Sequence, residues 1–133
     1  MKTTKLRAKL GVVLLVGITY LCFHFYAMGY NTQNVSLHES IPHLDKWEHF
    51  TSGIIIASLI MILTEKFEHG VRYATTFSSV LFLAILFEIL EYSIPFNGQI
   101  FWGGIEDTVW DIIFAVLGAV AVIAISSMLP EDE

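Results

Sequence analysis

Four runs of about twenty residues, almost free of charge in their interiors, dominate this chain. That is the length an α-helix needs to cross a hydrocarbon core about 30 Å thick. The runs are Leu10–Tyr30, Lys46–Thr64, Tyr73–Tyr92 and Thr108–Met128. Backbone polar groups in lipid must be satisfied within the segment itself, so each run is read as a helix. Composition agrees: hydrophobic residues make up 55 %, charged residues 15 % and mean hydropathy is +0.65. A soluble domain of 133 residues has too much surface to hide that much apolar side chain. A net charge of −6 leaves no basic footprint for nucleic acid. The single Cys22 excludes an intramolecular disulfide framework and a cysteine-rich zinc site. The expectation is an all-α, polytopic membrane protein: one domain over residues 1–133, built as a bundle of four transmembrane helices.

Orientation follows from the basic residues. Lys2, Lys5, Arg7, Lys9, Lys66 and Arg72 fall on one side of such a bundle and Lys46 alone on the other. The bias predicts a multi-pass protein of a bacterial inner (cytoplasmic) membrane with both termini cytoplasmic. Ala27-Met28-Gly29 loosely fits a signal-peptide cleavage site, but the apolar run before it is longer than a usual signal core. Ser93–Glu106, with Pro95, Asn97-Gly98 and Gly103-Gly104, reads as a loop covering the outer end of the bundle.

This topology gathers ionisable groups at one level near the outer interface. The second run enters with Asp45, Glu48 and His49, the third leaves with Glu88 and Glu91, and the fourth re-enters with Asp107 and Asp111. Trp47, Tyr92, Phe101, Trp102 and Trp110 lie at the same depth, as an interfacial aromatic belt does. Helical spacing puts Asp45, His49 and Ser52 on one face, pairs Glu88 with Glu91, and pairs Asp107 with Asp111. The Asp111 stripe continues through Phe114, Gly118 and Ile125, and Gly118 would admit a neighbouring backbone. A carboxylate facing lipid costs roughly 2.5–3.5 kcal/mol on insertion scales, so the three faces should turn toward one another. His49 and Lys46 are then the candidate positive partners. The repulsion is relieved by shared protons, by those two side chains, or by a bound cation. Oxygen-rich ligation with one imidazole suits Mg²⁺, Ca²⁺ or Mn²⁺, and also a catalytic Zn²⁺. Glu48 and Glu106 read as solvated rim charges, and His24 as an interhelical hydrogen-bonding group.

The stretch Asp45-Lys46-Trp47-Glu48-His49-Phe50 with Gly53, the stretch Phe87-Glu88-Ile89-Leu90-Glu91-Tyr92, and Asp107-Thr108 followed by Asp111 and Gly118-Ala119 resemble the YjdF-like inner-membrane proteins. They resemble the VanZ-like family more distantly. The VanZ-like pattern usually has Gln at Glu91, Asn at Asp111 and an Arg before the last acid, none of which is present here. The resemblance implies a small membrane protein; the VanZ-like side is associated with glycopeptide resistance. From the residues themselves, the leading expectation is a metal-dependent hydrolytic step on a lipid or envelope precursor. His49, Glu88, Glu91 and Asp111 would be the metal ligands, with Asp45 or Asp107 as general base or as an orienting group. Membrane lipids are the expected partners, and an oligomer stays open. The rivals are a non-enzymatic binding protein for an envelope ligand or antibiotic, and a proton- or cation-coupled transporter.

Overall fold

The computed structural model describes residues 2–29, 41, 43–93 and 103–128. Among them the protein is all-helical, with α1 (Lys2–Gly29), α2 (Leu44–Leu63), α3 (His69–Ser93) and α4 (Ile105–Met128). Helices α2, α3 and α4 are each long and apolar enough to cross a membrane, and the apolar part of α1 within the described residues is the shorter Lys9–His24. Each helix begins before the apolar run that announced it, and α1 and α2 end one residue short of theirs. α1 reaches back into the basic N-terminal residues, and α4 begins three residues before Thr108. Hydropathy marks the lipid-facing part of a helix, while backbone hydrogen bonding continues into the polar flanks.

Local chemistry sets the ends. Thr64 closes α2, its N–H and its hydroxyl both donating to the Ile60 carbonyl at 2.9 and 2.6 Å. Arg72 at the start of α3 donates to the Met61 carbonyl at 3.1 Å, placing a cation on the negative end of α2. Before α4, Gly104 has φ of 105°, a left-handed region that side chains resist. Glu106 and Asp107 then occupy the first turn, where the helix dipole favours acids.

Contacts fix the directions. The start of α1 meets the end of α2 through Lys9 and Glu65, and its end meets the start of α2 through His24 and Glu48. α3 likewise runs antiparallel to α2. α2 and α4, which are not sequence neighbours, run parallel and form the most extensive helix pair. Their seam is built on glycine. A Cβ on Gly53 would collide with the Ala115 carbonyl, and one on Gly118 with the Phe50 carbonyl. Small residues fill the rest of the interior: Ala57, Ala84, Ala115 and Ala119, with Val80. Bundles in lipid pack this way because apolar surface alone gives no drive for association, and close backbone approach supplies it. Large apolar side chains such as Leu15, Phe82 and Ile125 face outward.

Ile125 corrects the expected stripe. It is 60 % exposed, and the buried face of α4 is Asp111, Ala115, Gly118 and Ala119. The side turned inward is the one small enough to admit the α2 backbone. The covering loop expected over Ser93–Glu106 falls largely on residues 94–102, outside the described residues.

Candidate functional site

The starts of α2 and α4 and the ends of α1 and α3 meet at one end of the bundle. Asp45, Lys46, Glu48 and His49 come from the first two turns of α2. Glu88 and Glu91 come from the last turns of α3, and Asp107 and Asp111 from the first two turns of α4. The three acidic faces turn toward one another. Glu48, His49, Glu88 and Asp111 are buried, Glu91 is half-buried, and Asp45 and Asp107 lie nearer the bundle surface.

Lys46 organises the α2–α4 half. Its Nζ donates to Asp107 Oδ1 at 2.5 Å, to Asp111 Oδ1 at 2.6 Å and to Asp45 Oδ2 at 3.0 Å. One ammonium thus uses all three of its donors on three carboxylates. His49 stands behind it, with Nε2 at 3.5 Å from Asp45 Oδ1, 3.7 Å from Asp111 Oδ1 and 3.8 Å from Glu88 Oε1. His49 is therefore shared by two groups of three ligating residues. The first is Asp45, His49 and Asp111; the second is His49, Glu88 and Glu91. Within each, one ligand atom per residue lies within 4.8 Å of the others.

The two groups differ in what they already hold. Lys46 reaches two of the three members of the first. The second touches no lysine or arginine in any ion pair among the described residues, and Glu88 Oε1 is buried there without a hydrogen bond. An acceptor left so typically costs about 1–3 kcal/mol, more when charged. The four residues expected to ligate a metal are thus divided: His49, Glu88 and Glu91 stand together, and Asp111 is engaged by Lys46.

Glu48 departs from its expected place on a solvated rim. It is 4 % exposed, and its Oε2 lies 2.5 Å from His24 Nδ1 of α1. The Tyr20 hydroxyl donates to the Glu48 carbonyl at 3.1 Å, so α1 is pinned to α2 at two points one turn apart. His24 does form the interhelical hydrogen bond anticipated for it. Glu48 is one position away from the face shared by Asp45 and His49, which turns it toward α1 instead of the centre. Glu106 is exposed, as expected. His24→Ala is expected to lower stability by about 1–3 kcal/mol, because a buried carboxylate loses a charge-assisted partner. Thermal unfolding in detergent measures it, and an unchanged midpoint would show the pair to be idle.

Lys46 was legible only as one of two positive candidates. Its signal is that it is the single lysine or arginine between Arg7-Lys9 and Lys66, set in a segment with acids on either side. Of the aromatic belt, Trp47, Tyr92 and Trp110 are exposed at this level; Phe101 and Trp102 lie outside the described residues.

No curated protein and no solved structure matches the chain. A family model described as "Predicted membrane protein (DUF2238)" matches residues 3–131, which takes in all of this site. By that near-complete match, the chain belongs to the DUF2238 family of membrane proteins.

Proposed function

We propose that this membrane protein holds a divalent cation between His49, Glu88 and Glu91 and uses it in hydrolysis of a lipid or envelope precursor. The observation that carries the reading is Glu88: a buried carboxylate with an unsatisfied oxygen 3.8 Å from an imidazole nitrogen, beside a second glutamate. Ligands about 2.1 Å from one ion sit roughly 3–4 Å apart, so small side-chain rotations close this group around a metal. Zn²⁺, Mg²⁺, Mn²⁺ and Ca²⁺ all accept such donors, and three protein ligands leave a position open for water. A bound cation would lower the pKa of that water and polarise the bond under attack. Asp45, Asp107 and Asp111 hold Lys46. A carboxylate already accepting from an ammonium is a weak base, so Asp45 and Asp107 are assigned to orienting groups, with Asp111 supporting His49. The transport reading is weaker: beyond Asp111 the buried interior turns apolar, with Ala57, Val80, Ala84, Ala115 and Ala119. No series of ionisable groups continues through it among the described residues.

We further propose a multi-pass placement in a bacterial inner membrane, site end outward and both termini cytoplasmic, on the bias of the basic residues. Reporter fusions at Glu68 and the C-terminus should then read cytoplasmic, and fusions near Asn34 and Asn97 external. Opposite sides for Asn34 and Asn97 would contradict a single polar level.

Elemental analysis of detergent-purified protein tests the cation. About one divalent ion per chain is expected, lost in Glu88→Gln and in His49→Ala while the fold survives. The variants should equally lose hydrolysis of inner-membrane lipid extract, followed by chromatography. Raised stability with unchanged metal content in Glu88→Gln, or a parent protein that carries no divalent ion, would overturn the cation site. Metal without turnover would leave a binding protein.

A further inference from the structure

A cavity of about 370 Å³ opens between α1 and α3 and ends at the polar cluster. Its walls are apolar: Gly17 and Leu21 from α1, Ile55 from α2, Val80, Leu83 and Phe87 from α3. Its polar lining is gathered toward the site end, with His24, Glu48 and His49 there and Tyr20 and Ser52 one turn deeper. The gap exists because, among the described residues, α1 packs on α2 and approaches α3 through the edge contact of His24 with Phe87, ring centroids 6.2 Å apart.

The dimensions select an occupant. Along α3 the lining runs from Val80 to Leu90, about 15 Å at the helical rise. A cleft of that length with apolar walls is matched by one extended hydrocarbon chain. The polarity runs the same way as a lipid's, with the headgroup end at the cluster and the tail toward the middle of the bundle. An apolar cleft of this size gains contacts only from a chain that fills it.

We propose that this cavity is a lipid-tail site: one acyl chain of a membrane phospholipid enters sideways between α1 and α3, which brings its polar end to His24, Glu48 and His49. The inference rests on the reading of the cluster as a site acting on lipids, and names how such a substrate is held.

The full chain, reconstituted in phosphatidylethanolamine–phosphatidylglycerol vesicles, would be irradiated with phosphatidylethanolamine carrying a mid-chain diazirine. Peptide mass spectrometry should place adducts on Leu21, Leu83 and Phe87 well above outward-facing Phe82, Ile89 and Ile125. Leu83→Trp on α3 and Gly17→Leu on α1 fill the cavity from opposite walls; a Cβ on Gly17 meets only Ile55 Cγ2, at 3.5 Å. Each should cut cavity adducts about fivefold, a loss of about 1 kcal/mol in affinity, with metal content unchanged. Adducts spread evenly over the cavity-lining and outward-facing residues would overturn the tail site, as would copy-to-copy cross-links through Leu21 and Leu83. Metal content reports separately on the cluster: tail labelling without bound metal would defeat the cation proposal alone, and metal without tail labelling would defeat this one alone.

Discussion

Lys46→Met is expected to be among the most damaging single substitutions in this protein, costing about 3–5 kcal/mol. The ammonium at 2.5–3.0 Å from Asp45, Asp107 and Asp111 is the only lysine or arginine partner those acids have among the described residues. Methionine keeps the length and apolar stem and leaves three carboxylates facing one another, one of them fully within the bundle. The cause separates from packing in a double variant. Asp111→Asn alone removes one acid from a group of three that shares one ammonium, and should be neutral or stabilising. Lys46→Met with Asp111→Asn should recover a large part of the loss, because the buried uncompensated charge is gone. Detergent unfolding of the three variants measures the coupling. A Lys46→Met protein within about 0.5 kcal/mol of the parent, the range of an ordinary surface change, would show that the network carries no stability. Metal content adds a sharper reading: with Lys46 gone, the Asp45–His49–Asp111 group is open to a cation of its own.

The glycine seam yields the second large effect. Gly53→Ala and Gly118→Ala should each destabilise by about 1–3 kcal/mol, and leucine at either position by more. A helix-interior alanine recovers about 1 kcal/mol of propensity over glycine, which works against the loss. Packing wins because the atoms struck are the Ala115 and Phe50 carbonyls, which move only if two helices move. Gly11→Ala in α1 is the control: nothing lies within 4 Å of its would-be Cβ. It should be neutral or slightly stabilising. Separation of α2 from α4 would also draw Lys46 away from Asp107 and Asp111, so both seam variants should lose stability in the polar cluster too. A Gly118→Ala protein as stable as its parent would mean that the α2–α4 approach is looser than the structure has it.

Four helices, their approximate spans and the end of the bundle that carries the charges were all legible in the sequence. Each depends on quantities additive along the chain: apolar length, the spacing of acids by three or four residues, the position of Gly103-Gly104. The inward turn of Glu88 and Asp111 followed from one energetic argument, the cost of a carboxylate in lipid. What such arguments treat poorly is a choice between neighbours. Glu48 and His49 are adjacent, and both could claim the centre; contact with His24 of α1 took Glu48 one way and left His49 to the acids. Ile125 and Ala119 both sit near the Asp111 stripe, and only the backbone approach at Gly53 decides which of them is covered.

The sequence by itself determined that this is an all-helical membrane protein with its ionisable groups gathered at one level, because bilayer thickness and the desolvation of charge act on every residue separately. Only the tertiary structure decided that α2 lies parallel against α4, that Lys46 spends its three donors on aspartates, and that Glu88 keeps an oxygen without a hydrogen bond. Those outcomes depend on which backbones approach closely enough to exclude a side chain and on angstrom-scale competition among acids for one ammonium. No pattern along a single chain records either.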